Sequence, residues 1–179
     1  MRIIDPHIHM VSRTTDDYER MALAGVVAVT EPAFWAGFDR SAAGFRDCFR
    51  LLTEVEPRRA AKYGIDHYTW MCVNPKEAED VVLAREVIAM IREEFIDHPR
   101  VLGIGEIGLN KNTPNEIKIL EEYVELAASR NQLVLVHTPH LEDKHKGTKI
   151  ITDILANESR IAPSRILIDH CEEHTIRLV

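Results

Sequence analysis

Two histidines near the N-terminus have the spacing of a metal-binding pair. His7 and His9 belong to the run Asp5-Pro6-His7-Ile8-His9, which follows a short apolar stretch. Residues i and i+2 of an extended backbone project from the same side, so both imidazoles can reach one cation at the end of a strand. Neutral imidazole is a common ligand of zinc and similar metals. The run therefore predicts a metal site close to the start of the chain.

Three further candidate ligands stand at or just after the ends of apolar runs: Glu106, His137 and His170. Histidines and carboxylates can hold two divalent cations, and a carboxylate shared between the cations can bridge them. We predict that His7 and His9 hold the first metal and that His137 and His170 hold the second. Glu106 is predicted to bridge them as the catalytic carboxylate. The expected chemistry is activation of water by one or two divalent cations, with zinc expected and manganese or magnesium as alternatives.

The elements that must position these residues alternate along the chain. We predict strands at 2–4, 25–30, 68–73, 101–105, 133–137 and 166–169, and helices at 39–59 (ending near Pro57), 78–95, 115–130 and 148–156. Alternating strands and helices indicate parallel strands joined by crossovers. Polar residues at the ends of successive strands are typical of a (β/α)8 TIM-type barrel, which usually takes about 250 residues. We therefore predict a single domain over residues 1–179, with about six βα units and the C-terminal part of the barrel missing.

A doubly wound open sheet is the rival architecture, because it would fit the length without a missing part. The chain even contains a literal Gly-x-Gly-x-x-Gly at 103–108. A dinucleotide site needs a helix to begin directly after such a motif. Here residues 109–114 intervene before helical periodicity resumes, so we interpret the match as chance.

Composition limits the classes of partner. The net charge of −7 argues against broad nucleic-acid binding and leaves nucleic acid only as a substrate. The apolar stretches are too short to span a bilayer, and the N-terminus lacks the pattern of a signal peptide. Cys48, Cys72 and Cys171 show no Cys-x-x-Cys spacing. We interpret them as reduced thiols of a cytoplasmic protein.

Several other residues are candidates for a role around the site. In the charged segment 138–149, which we read as a loop, His140, Lys144 and Lys146 are candidate contacts for an anionic substrate, with a solvated surface as the alternative. Asp5 is a candidate to orient a ligand histidine. Glu31 and Asn74 either line the pocket or simply end their strands. Trp35 and Trp70 are expected in the core.

The ordered motifs resemble the TatD family of metal-dependent hydrolases, within the amidohydrolase superfamily. The matching pieces are Asp5-Pro6-His7-Ile8-His9, Gly105-Glu106-Ile107-Gly108-Leu109, Leu135-Val136-His137 and Ile168-Asp169-His170. The resemblance runs the length of the chain and implies a (β/α)8 barrel. It also implies that His7, His9, Glu106, His137 and His170 are the metal ligands. The implied reaction is hydrolysis of an ester, amide or phosphodiester bond, of which deoxyribonuclease activity is one form.

The chain departs from the family pattern at three points. The family has a final catalytic aspartate after strand eight, and this chain ends before it. Asn110 stands where an aspartate is common, and the run from His137 to His140 lacks the usual serine or cysteine followed by arginine. Two hypotheses follow: a hydrolase of a small-molecule or anionic substrate, or a non-catalytic metal- or ligand-binding barrel remnant acting as a subunit of an assembly. Free sheet edges predict that the 179-residue chain self-associates and has little activity alone.

Overall fold

Six parallel strands form one sheet in the computed structural model, which describes residues 1–34, 39–140 and 143–179. The strands are β1 (Ile3–Asp5), β2 (Val26–Pro32), β3 (Asp66–Met71), β4 (Val101–Gly108), β5 (Leu133–His137) and β6 (Ile166–Asp169). Each strand pairs with its neighbour in the sequence, so the spatial order is β1-β2-β3-β4-β5-β6. A doubly wound sheet reverses this order at a switch point, whereas a barrel wall does not. The predicted barrel architecture is confirmed for these six strands.

The sheet is curled. His7 follows β1 and Asp169 ends β6, at opposite edges of the sheet, yet their side chains are hydrogen bonded to each other. A flat sheet of six strands, spaced about 4.8 Å apart, would hold these residues more than 20 Å apart. The curvature therefore brings the carboxyl ends of all the strands around one shared space.

Six α-helices accompany the strands in the described ranges: α1 (Thr15–Leu23), α2 (Ala42–Arg50), α3 (Glu56–Ala61), α4 (Val81–Met90), α5 (Pro114–Ser129) and α6 (Lys144–Asn157). A π-helical segment, Leu51–Val55, joins α2 to α3, and another, Ile91–Phe95, extends α4. Thr113 caps α5 in a capping box with Glu116, and proline occupies the first helical position. None of the helices in the described ranges has the combination of length and apolar character that crossing a membrane requires.

Buried side chains of α2, α4 and α5 pack against the middle strands. Phe49 from α2, Val87 from α4 and Leu126 from α5 are fully buried in one cluster with Ile104 of β4. Burial of one such side chain stabilises the fold by about 1.5–3 kcal/mol. This packing fixes the strands whose ends carry Glu106 and His137.

Two predicted element boundaries were wrong. The helix predicted over 39–59 continues past Pro57 into α3, because that proline lies in the first turn of α3, where its missing N–H costs little. The segment predicted to be a loop over 138–149 is helical from Lys144 onward. The Asp143 side chain accepts a hydrogen bond from the Lys146 backbone N–H at 2.9 Å and caps α6.

Some sequence-based predictions fall on residues that the structure does not describe. Trp35, predicted to be a core residue, lies outside the described residues, as do residues 141 and 142 of the charged segment. Trp70 is buried, as predicted. Cys48, Cys72 and Cys171 form no disulfide with one another in the described residues, and their reduced state stays a prediction.

Both edge strands of the sheet expose apolar side chains. Ile4 of β1 is 64% exposed and Leu167 of β6 is 42% exposed. A groove of about 590 Å³ lies beside β6 and is lined by residues such as Leu155, Ile166 and Leu178. Open apolar edges favour association between chains. Self-association of the 179-residue chain stays a prediction.

Candidate metal centre

A smaller cavity, of about 260 Å³, lies at the carboxyl ends of the strands. Its lining includes all five predicted ligands: His7, His9, Glu106, His137 and His170. It is also lined by Phe34, Asn74, Lys76, Asn110 and His140. The larger groove beside β6 is mostly apolar and contains none of these residues. The smaller cavity is therefore the candidate site.

Glu106 is the centre of the cluster. Its Oε2 accepts hydrogen bonds from His137 Nδ1 at 2.9 Å and from His170 Nε2 at 2.8 Å, which joins the ends of β4, β5 and β6. Burial by itself raises the pKa of Glu106, but the hydrogen bonds from His137 and His170 and the charges of His137 and His7 outweigh it and bring the pKa to about 2. Glu106 is therefore ionised at neutral pH and has the charge of a metal-binding carboxylate.

The direction of the Glu106 side chain follows from a bulge in β4. Gly105 pairs with Leu135 and Ile107 pairs with Val136, so Glu106 has no partner across the strands. Such bulges re-aim a side chain at the rim of a sheet. A Cβ atom on Gly105 would lie 2.6 Å from the Cβ of Leu135, so the close approach of the two strands requires glycine here. The Gly-x-Gly-x-x-Gly string thus lies inside a strand, not at the start of a helix.

His7 is held by two aspartates. Its Nδ1 is hydrogen bonded to Asp169 Oδ2, and its backbone N–H donates to Asp5 Oδ1 at 3.1 Å. Asp5 therefore binds the backbone of His7, whereas Asp169 binds its imidazole ring. Burial raises the pKa of Asp169, but hydrogen bonds from the His170 backbone and from His7 outweigh it and lower the pKa. The sequence predicted no role for Asp169. The feature that could have indicated one is the position of this carboxylate at a strand end, directly before His170.

His9 provides a test of whether this site suits a cation. Its ring centroid lies 5.2 Å from that of His7, and its Nδ1 is buried without a hydrogen-bond partner among the described residues. Burial, with the neighbouring charge of His7, lowers the pKa of His9 below 6.5 and favours neutral imidazole. An unpartnered buried nitrogen costs about 1–3 kcal/mol, and a cation would satisfy it. The residues present therefore fit a divalent metal.

Two groups of side chains have ligand atoms close enough to share an ion. In one group, His7, Glu106, Asp169 and His170 each place a ligand atom within 4.8 Å of the others. In the second group, His137, His140 and His170 do the same. Imidazole and carboxylate are ligands of zinc and similar divalent metals. His170 belongs to both groups, so it lies between two candidate cation positions.

The backbone of His170 has a strained conformation, and nearby hydrogen bonds hold it in place. His170 has a φ of +58°, which non-glycine residues rarely adopt. Its N–H donates to Asp169 Oδ1 at 2.6 Å, and the Thr138 hydroxyl lies 3.1 Å from the carbonyl oxygens of both Asp169 and His170. These bonds tie the end of β5 to the end of β6. Strain of this kind costs about 1–3 kcal/mol and is often found at functional sites.

The two predicted substrate lysines lie outside the cavity lining. Lys144 Nζ is 2.7 Å from Glu172 Oε1, and the Lys144 side chain is only 12% exposed. Lys146 is exposed on the first turn of α6. A contact between either lysine and substrate stays a prediction. His140 does line the cavity, where burial and the adjacent His137 and His170 lower its pKa below 6.5.

Lys76 is a cavity cation that sequence reasoning missed. It is exposed, and its Nζ lies 5.8 Å from the centroid of the Phe34 ring, which also lines the cavity. The feature of the sequence that could have indicated Lys76 is its position two residues after Asn74, just beyond the end of β3.

Asn74 is in the cavity lining, as one of the two interpretations of the sequence predicted. Glu31 instead is fully buried, with Oε2 2.8 Å from His67 Nε2.

Comparison with known proteins adds independent findings. A family model described as TatD related DNase matches residues 4–176. An uncharacterized metal-dependent hydrolase from Methanocaldococcus jannaschii is 28% identical over 177 residues, which are 99% of this chain and 68% of that protein. The crystal structure of a TatD-like protein from Archaeoglobus fulgidus has a TM-score of 0.85 at 25% identity, covering 99% of this chain and 72% of that one. A mutant PTE-like lactonase from Deinococcus radiodurans shares the fold, with a TM-score of 0.62 at 14% identity over 98% of this chain and 63% of that one.

Proposed function

The chain belongs to the TatD-related DNase family and is a metal-dependent hydrolase, and we propose that it hydrolyses anionic esters, phosphodiesters included, at the cavity around Glu106. One observation carries the proposal: five imidazoles and the Glu106 carboxylate line one cavity, together with the cation Lys76. The hydrolase relative favours this function over a non-catalytic barrel remnant. A cytoplasmic location, expected from the cysteines, stays a prediction.

We propose zinc as the metal and assign its ligands as follows. His7 and His9 would hold one cation, His137 and His170 a second, and Glu106 would lie between them. The bond from His7 Nδ1 to Asp169 leaves the other ring nitrogen of His7 for a cation, which is the usual arrangement of metal-binding histidines. A bound divalent cation would supply an activated water nucleophile and polarise the bond to be broken.

The chain's own residues orient the reacting groups. Glu106 is ionised and buried, and it holds the rings of His137 and His170 through one oxygen. Asn74 and Asn110 add amide groups to the lining, which can hydrogen bond to substrate oxygens. The Lys76 ammonium is exposed and can pair with an anionic group of the substrate. The cavity thus combines a cation-binding end with a separate positive charge for the substrate.

Removal of Lys76 tests the proposed substrate class. With zinc-reloaded protein, Lys76→Ala should raise KM for bis(p-nitrophenyl) phosphate by about tenfold, since a lost charge contact worth about 1.4 kcal/mol changes affinity tenfold. KM for the neutral ester p-nitrophenyl acetate should change less than twofold. Lys118→Ala is the matched control, because that lysine is exposed on α5 and lies outside the cavity lining.

The same assay tests metal dependence. Treatment with a chelator should abolish hydrolysis, and addition of zinc or manganese should restore it. Hydrolysis that persists after the metal is removed would contradict a metal-dependent mechanism at this site. An equal change of KM for both esters in Lys76→Ala would contradict the anionic-substrate proposal and leave the hydrolase assignment intact.

A further inference from the structure

We propose that His140 is a third imidazole ligand, together with His137 and His170, for a divalent cation at the ends of β5 and β6. The inference rests on the proposed function, because His137 and His170 are ligands there. It adds a residue outside the five ligands assigned above, and it replaces substrate binding as the role of His140.

The three rings form a compact triangle. Their centroids are 4.8 Å apart for His137 and His140, 4.9 Å for His137 and His170, and 4.9 Å for His140 and His170. One ligand nitrogen from each ring lies within 4.8 Å of the other two. Three histidines with a remaining open position form the protein ligand set of one class of catalytic zinc site.

Nearby contacts fix the segment that carries His140. Thr138 bonds to the backbone at the end of β6, which sets the position of β5's end relative to His170. Pro139 packs against Gly147 of α6, where a Cβ atom would lie 2.3 Å from the proline ring. Glycine at 147 therefore allows α6 to approach and hold Pro139. These constraints place His140 beside the other two rings before any ligand binds.

The bonding of His140 favours a cation over a structural role. His140 is exposed, its ring lies against those of His137 and His170, and within the described residues both its ring nitrogens lack hydrogen bonds. A histidine that served only to pack would gain little from facing two more imidazoles. Clustered protonated rings would repel one another, whereas clustered neutral rings offer lone pairs to one metal ion.

Cobalt(II) titration of the chelator-stripped chain tests this inference without an activity measurement. We expect His140→Ala to weaken binding of one cobalt ion by at least about tenfold, since even an outer partner of a metal ligand contributes about 10–100-fold. The visible cobalt absorption should lose intensity or shift as a nitrogen ligand is lost. His140→Asp should retain tighter binding than the alanine variant, because a carboxylate can also coordinate. The matched control is His145→Ala, an exposed histidine that lies outside the cavity lining.

The outcomes separate this inference from the proposed function. If His140→Ala binds cobalt with the parent's affinity and spectrum, the inference is overturned while the hydrolase site stands. The same conclusion follows if that variant changes only KM, which would make His140 a substrate contact. If the parent chain itself binds no cobalt, the proposed metal centre fails together with the inference.

Discussion

Replacing Glu106 with glutamine should lower the rate of hydrolysis by roughly 10²–10⁴-fold, the range for loss of a positioned catalytic group. Glutamine keeps the size of the side chain but removes the negative charge. In the parent, the carboxylate accepts hydrogen bonds from both His137 and His170, and these bonds help to lower the Glu106 pKa to about 2. An amide is also a poorer metal ligand than a carboxylate. We therefore expect metal content to fall together with activity.

The measurement compares kcat and bound zinc per chain for the parent and Glu106→Gln. Glu56→Gln is the matched control, because Glu56 is also buried and hydrogen bonded, to Tyr18, but does not line the cavity. The control should lose stability without losing metal. A Glu106→Gln variant with parental kcat would remove Glu106 from the catalytic centre.

The double variant His7→Ala with His9→Ala should lose at least one bound metal ion per chain. Both imidazoles line the cavity, and the buried Nδ1 of His9 has no other partner among the described residues. Metal binding stabilises a folded site, so the metal-dependent increase in Tm should also shrink. Asp169 would lose its hydrogen bond to His7 and keep the one from the His170 backbone N–H.

Metal analysis by mass spectrometry after dialysis against zinc gives the stoichiometry. The control is the double variant of His145 and His174 to alanine, two exposed histidines outside the cavity lining. It should bind as much zinc as the parent. An unchanged stoichiometry in the His7 and His9 variant would show that this pair does not bind the metal.

Strand positions were predictable where an apolar run ends cleanly in a polar residue. The predicted and observed limits agree for β5, which ends at His137, and for β6, which ends at Asp169. Helix α1 was not predicted, because it buries only one side chain, Tyr18, and so has little apolar periodicity. Its capping box between Thr14 and Asp17 was the signal that remained.

The cavity lining was partly predictable because parallel strands bring their carboxyl ends together. That rule places Glu106 beside His137, on adjacent strands. It does not predict the bond between His7 and Asp169, which depends on how strongly the sheet curls. The ion pair of Lys144 with Glu172 could not be predicted from the sequence either, because it joins the start of α6 to a residue 28 positions away.

The most direct test of the metal centre is a zinc-edge anomalous difference map from crystals of the zinc-loaded protein. We predict one or two strong peaks in the cavity, within bonding distance of Glu106 and of nitrogens from the His7 and His9 pair, the His137 and His170 pair, or both. A map with no peak in this cavity, or with zinc bound only elsewhere on the chain, would contradict the assignment of this cavity as the metal centre.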